Sequence, residues 1–311
     1  MEKFENRFEQ IRSINNIVIT SNEFMTAFTG IQDCVKRSIS FSEPVGSMLL
    51  AEGGLGKTTL CKTILSLMPR TEKIEKDYKK NIIPVCYVEV PSPATVKSLA
   101  ITMLKELGDP TYENGYGTTE YLTSRLIYLL AQCETKLIFL DEFHHFIDRE
   151  SKKVLVTLCD WLKSLIVNTK IPVVLFGMPI SENILKVDNW QLSRRFNYRH
   201  NLVPFPQDEA GLNLFRGFLR EIEGQLPLLG KSNLAGKSLS ERIYYATDGT
   251  IGHVMTLIRK GATYAIEHDS SCIDMEASYA QDRESTENQS YSNKKKKKKK
   301  SVSDINKMLT T

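Results

Sequence analysis

Apolar residues along this chain fall into two rhythms. Solid apolar runs occur at residues 48–51, 137–140 and 173–177, a longer one broken by Glu89 at 82–90, and a weaker one at 198–203. Short solid runs of this kind predict strands buried on both faces, as in a parallel sheet. Between them the apolar positions recur at helical spacing. Residues 23–38 carry Phe24, Phe28, Ile31 and Val35, and similar patterns cover 58–68, 95–107, 121–132 and 152–167. A turn is expected at 42–46. Strands alternating with helices predict an α/β fold, a parallel sheet covered by helices on both faces. Beyond residue 206 the strand pattern stops, and helical patterns at 208–222, 238–247 and 250–268 predict a small helical lid domain. The expected organisation is an N-terminal arm at 1–21, an α/β core at 22–206, the lid at 207–268 and a polar, disordered tail at 269–311. There is no internal repeat.

Composition changes this picture little. The chain has 311 residues, 41% hydrophobic and 25% charged, which suits one large domain with a lid. No apolar stretch approaches a membrane span, and residues 171–180 are interrupted by two prolines and a glycine. The mixed charges of the first ten residues do not resemble a signal peptide, so a soluble, cytoplasmic protein without a membrane partner is expected. Cysteines 34, 61, 86, 133, 159 and 272 form no C-x-x-C pair and read as buried thiols in a reducing compartment. Charge needs more care. The net charge of +4 includes seven consecutive lysines at 294–300, and without those seven the balance is −3. The body is slightly acidic, so a nucleic-acid surface on it must come from local clustering.

The most informative tract is Ala51-Glu-Gly-Gly-Leu-Gly-Lys57-Thr58, between a predicted strand and a predicted helix. It follows the phosphate-loop pattern G-x-x-x-x-G-K-[ST], with Ala51 in place of the first glycine. Gly53, Gly54, Leu55 and Gly56 would wrap the phosphates of ATP with backbone N–H groups, and Thr59 continues into the helix. Lys57 would neutralise the β- and γ-phosphates, and the Thr58 hydroxyl can ligate Mg²⁺. A second tract, Leu137-Ile-Phe-Leu-Asp141-Glu142, is an apolar strand ending in two acids, the Walker B pattern. Asp141 would hold Mg²⁺ and Glu142 would act as general base toward water. The chemistry expected is ATP hydrolysis. His144 and His145 are adjacent, share no helix face and form no H-E-x-x-H motif, so metal binding there is not expected.

Three further tracts carry a resemblance. Asp141-Glu-Phe-His144, then Ile171-Pro-Val-Val-Leu-Phe-Gly177, then Gln191-Leu-Ser-Arg-Arg195-Phe196 resemble the TniB/TnsC-type AAA+ ATPases of DNA transposition. Leu226-Pro-Leu and Thr247-Asp-Gly-Thr-Ile-Gly-His253 resemble the lid of that family, and the similarity covers residues 20–270. The resemblance implies an ATP-dependent homo-oligomer, ring or filament, on duplex DNA without sequence preference. It further implies a link between a target-selection protein and a transposase. In that frame Arg195 would be the arginine finger, with Arg194 as the alternative, and Lys97 and Thr118 would touch the DNA backbone. Two departures bear on hydrolysis. Met178 stands where a polar sensor is usual, and His253 where relatives carry an arginine. The competing expectation is a stand-alone signalling or defence ATPase acting on protein partners. The lysine run would add nonspecific attraction to DNA.

Overall fold

Three of the unbroken apolar runs become the centre of one sheet. A computed structural model describes residues 2–40, 45–75, 78–110, 117–147, 152–186 and 193–274. Residues 42–44 of the expected turn, residues 111–116 just before Thr118, Gln191 with Leu192, the tail beyond 274 and the lysine run lie outside these. Among the described residues the chain divides into two compact units, residues 20–205 with 250–252, and residues 1–19, 206–249 and 253 onward.

The larger unit contains five parallel strands. These are β1 (Gly46–Ala51), β4 (Val85–Glu89), β5 (Leu137–Asp141), β6 (Val173–Gly177) and β7 (Phe196–Leu202), in the order β4-β5-β6-β1-β7. Every residue of β1, β5 and β6 is buried. Alternate side chains enter two cores. Met48, Leu50, Ile138, Leu140, Val173 and Leu175 face one, and Leu49, Ala51, Leu137, Phe139, Val174 and Phe176 face the other. The first core is closed by α4 (Val96–Glu106), α5 (Thr119–Gln132) and α6 (Lys152–Thr169). The second is closed by α2 (Asn22–Ser40) and α3 (Lys57–Leu67). Two-sided burial is why these strands read as solid runs rather than alternations.

The expected strand at 82–90 is two elements. An antiparallel hairpin, β2 (Thr71–Glu75) with β3 (Tyr78–Ile82), ends before Pro84, and β4 begins after it. Proline has no N–H to give a ladder, so the run is cut there. Its carbonyl is still used, accepting from the N–H groups of Lys136 and Leu137. The hairpin itself is polar, with Ile74 77% exposed, and so lacked an apolar signature.

In the smaller unit, the stretch read as an arm is a helix, α1 (Glu2–Asn15), with Ile14 buried. Arg259 Nη2 donates to the Asn15 and Ile17 carbonyls at 3.4 and 3.5 Å, and Arg7 pairs with Asp269 at 2.6 Å. The unit also contains α8 (Glu209–Gln225), α9 (Lys237–Thr247) and most of α10 (Ile251–Glu267), with Phe215 edge-on to Tyr244. A four-residue helix, α7 (Asn183–Lys186), lies in the larger unit. No helix among the described residues is long and apolar enough to cross a membrane.

Candidate nucleotide site

The loop after β1 and the end of β5 lie at the same edge of the sheet. Parallel register sets this, because Leu50 is beside Gly177 and Leu140 beside Leu175. Only β6 separates β1 from β5. A crevice at the carboxyl ends of parallel strands, where chain order reverses, is where α/β sheets bind ligands.

The phosphate loop is shaped by Gly54 and Gly56, whose φ angles of 76° and 95° suit glycine. Gly56 caps α3 with no side chain on the first-turn amides, and that turn has no acid. The N–H groups therefore remain available to an anion, with the helix dipole favouring it. Leu55 is buried and anchors the loop, while Gly53, Gly54 and Thr58 are exposed. Thr59 is half-buried, and its carbonyl accepts from the Thr63 hydroxyl at 2.9 Å. Lys57 Nζ donates to the Ala51 carbonyl at 2.9 Å. Ala51 belongs to β1 rather than to the turn, so the loop tolerates a side chain where the motif has glycine.

Asp141 is held differently. It is 6% exposed, and both oxygens accept a hydrogen bond. Tyr87 Oη donates to Oδ2 and the Glu142 N–H donates to Oδ1, each at 2.8 Å. Burial first, and then the bond to Asp141, push the Tyr87 phenol upward. No cation pairs with Asp141 among the described residues. A buried carboxylate held only by neutral donors is a site that a divalent cation would satisfy. The Asp141 carboxylate therefore fits a Mg²⁺ ion accompanying a nucleotide, and Thr58, exposed in the first turn of α3 at the same edge of the sheet, offers a hydroxyl that could complete such a site. Glu142 occupies the left-handed region, φ 53° and ψ 37°, a conformation unfavourable outside glycine and frequent at functional sites. Its Oε2 lies 3.1 Å from His144 Nδ1. The residue pair His144–His145 sits on a 3-10 turn (Phe143–Phe146).

Sequence reasoning missed Tyr87, which sits one strand away from Asp141. It also missed a backbone clamp. Gly252 N–H donates to the Gly54 carbonyl at 2.7 Å, and a Cβ at 252 would lie 2.6 Å from that oxygen. The glycine of the Asp-Gly-Thr-Ile-Gly tract is thus a close-approach glycine against the phosphate loop. His253, the next residue, is exposed. Met178 is half-buried and opens a 3-10 turn (Pro179–Glu182), bringing no polar group to the end of β6.

The remaining candidates lie elsewhere. The Arg195 carbonyl accepts from the Gly46 N–H at 2.6 Å. Arg195 therefore sits at the start of β1, and the phosphate loop leaves the other end. Six strand residues separate the two ends by roughly 17 Å, beyond an arginine's reach. Arg195 Nη1 is buried without a hydrogen bond among the described residues, and Arg194 is exposed. Lys97 is exposed in the first turn of α4. Thr118 is the N-cap of α5, its hydroxyl accepting from the Tyr121 N–H at 3.3 Å.

Comparison with known proteins bears on the family and the fold. The model of the family described as "Bacterial TniB protein" matches residues 26–204. No curated protein matches the chain. Among solved structures, the Aeropyrum pernix ORC1 protein in complex with DNA aligns at 13% identity and TM-score 0.58, over 86% of this chain and 66% of that one. The Aeropyrum pernix ORC2 protein, solved with ADPNP and ADP, aligns at 12% identity and TM-score 0.55, over 81% and 65%. Cdc6p from Pyrobaculum aerophilum aligns at 14% identity and TM-score 0.52, over 79% and 62%. The chain spans just under two thirds of the length of these proteins, and the likeness is one of fold. With the family model covering more than half of its residues, the chain belongs to the TniB family and has the AAA+ P-loop ATPase fold.

Proposed function

We propose that this protein is an ATP-dependent DNA-binding regulator of transposition, which oligomerises on target DNA and couples a target-selection protein to a transposase. ATP hydrolysis is its switch. One observation carries the reading: Arg195 and the phosphate loop occupy opposite ends of β1. A single subunit cannot bring that arginine to its own γ-phosphate. Subunits stacked head to tail can bring it to a neighbour's.

Within one subunit the division of work follows from position. The loop amides and Lys57 would bind the phosphates, and the Thr58 hydroxyl and Asp141 would hold Mg²⁺. When bound, that ion neutralises charge on the β- and γ-phosphates. Glu142, half-buried just beyond the end of β5, accepts the proton of the attacking water. Arg195 stabilises the transferring phosphoryl group from the adjacent subunit. Met178 supplies no hydrogen bond there, which argues for slow turnover, suited to a timer. The family match supports transposition, and ORC1, similar in fold, is described in complex with DNA. Stacking would place Lys97 and Thr118 of successive copies along one phosphate backbone, so weak contacts sum.

The test is subunit mixing. Arg195→Ala protein should bind ATP but fail to assemble on duplex DNA or hydrolyse normally. Lys57→Ala subunits, which keep the arginine, should restore hydrolysis in the Arg195→Ala pockets. Wild-type hydrolysis by Arg195→Ala alone would refute the trans arginine. A wild-type protein that stays monomeric on DNA with ATP at micromolar concentration would instead favour a stand-alone ATPase acting on protein partners.

A further inference from the structure

We propose that Glu142, His144 and His145 form a binding site for a transition-metal ion of the Zn²⁺ type, distinct from the Mg²⁺ position at Asp141 and Thr58. One ligand atom from each of the three residues lies within 4.8 Å of the other two. Adjacent histidines do not share a face of an α-helix, and for that reason sequence spacing argued against a site. The backbone here is a 3-10 turn entered through the left-handed Glu142. That turn brings the two imidazole rings to a centroid separation of 4.6 Å and folds the Glu142 carboxylate toward them.

Three details point to a ligand rather than to a packed pair of rings. First, His144 Nδ1 is buried and makes no hydrogen bond among the described residues, although Glu142 Oε2 is 3.1 Å away. The two atoms are close but misaligned for a hydrogen bond. Tetrahedral coordination with bonds of about 2.0–2.1 Å puts neighbouring ligand atoms roughly 3.3 Å apart, so this pair is already spaced as metal ligands are. Second, His145 Nδ1 lies 2.9 Å from the Val90 carbonyl. A carbonyl only accepts, so Nδ1 carries the proton and Nε2 keeps its lone pair. A histidine whose second nitrogen donates to a backbone carbonyl is the usual orientation of a metal-bound imidazole. Third, the turn is fastened on both sides, because Phe143 and Phe146 are fully buried in the core. The ligands would be presented by a rigid element rather than a loose loop.

Two imidazoles and one carboxylate leave a fourth position to solvent. This ligand set selects Zn²⁺ over Mg²⁺, which prefers an all-oxygen octahedron and surrenders its water reluctantly. A bound ion would occupy the carboxylate that the proposed function uses as base. Its inhibitory effect rests on that reading, whereas binding itself does not.

The experiment uses the full chain without nucleotide or Mg²⁺, titrated with Co²⁺ as a spectroscopic substitute for Zn²⁺. One equivalent should produce visible d–d absorption without thiolate charge-transfer bands, and Zn²⁺ should displace it. His144→Ala and His145→Ala should each weaken binding at least tenfold while still binding ATP, which reports their folding. His253→Ala, at an exposed histidine outside the cluster, should bind Co²⁺ as the wild type does. No d–d absorption, equal binding by both cluster variants, or thiolate bands would overturn the proposal. In a second arm Zn²⁺ should slow phosphate release by the wild type and not by His145→Ala. If Co²⁺ binds as described and Zn²⁺ leaves phosphate release unchanged, the metal site stands and Glu142 is not the base.

Discussion

The two halves of the nucleotide site are built on opposite principles. On the phosphate side, Gly53, Gly54 and Thr58 are exposed, and the first-turn amides of α3 carry no side-chain cap. Lys57 rests on a backbone carbonyl that it can exchange for a phosphate oxygen. On the carboxylate side, Asp141 is buried, and both of its oxygens are committed to neighbouring donors. One half waits for its ligand with open groups. The other is fixed by the fold before any ligand arrives. On the function proposed above, affinity for the phosphates would be a property of a local loop, whereas placement of a metal ion and of the proton acceptor would be a property of the sheet.

Substitutions on either half test this contrast. The largest effect is expected at Glu142→Gln, which removes the proposed proton acceptor from the fixed half. Phosphate release should slow between about a hundredfold and ten-thousandfold with ATP affinity preserved. Equal release rates would remove Glu142 from the chemistry. Lys57→Ala acts on the open half. Calorimetry should show ATP affinity falling about a hundredfold, roughly 3 kcal/mol, since a charge-assisted contact to the phosphates is lost. Unchanged affinity would show that the loop does not hold phosphate.

Gly252→Ala perturbs the open half from outside it. A methyl 2.6 Å from the Gly54 carbonyl oxygen must displace the loop. Roughly 1–2 kcal/mol, about a tenfold loss of nucleotide affinity, is expected, and a fluorescent ATP analogue would measure it. The smallest effect belongs to Tyr87→Phe, which deletes one of the two bonds on Asp141 and keeps the ring. The Mg²⁺ concentration giving half-maximal ATP binding should rise about fivefold, near 1 kcal/mol, with affinity in EDTA unchanged. A loss seen equally in EDTA would mean that the phenol supports the fold rather than the metal position.

The same contrast explains what could be read in advance. The phosphate loop and the Asp141-Glu142 tract are continuous in sequence, so their chemistry is written in adjacent letters. The strands β1, β5 and β6 were equally plain, because burial on both faces leaves no polar residue to confuse the pattern. Tyr87 was not legible. It lies 54 residues before Asp141 and meets it only because β4 and β5 pair in parallel. The β2–β3 hairpin escaped because its residues Thr71–Glu75 and Tyr78–Ile82 are largely polar, and Ile74 faces solvent. The proximity of His144, His145 and Glu142 depended on a 3-10 turn that helical spacing does not anticipate.

The bond from the Gly252 N–H to the Gly54 carbonyl makes the first turn of α10 an extension of the phosphate loop. A ligand that reshaped the loop would then also strain the beginning of that helix at Gly252, and thermodynamic reciprocity would hold in the reverse direction. A partner protein that grips α10 differently in the loaded and empty states would change ATP affinity by the same factor that ATP changes its own grip. What joins the loop to the start of that helix is thus a single peptide hydrogen bond, with no side chain in the link.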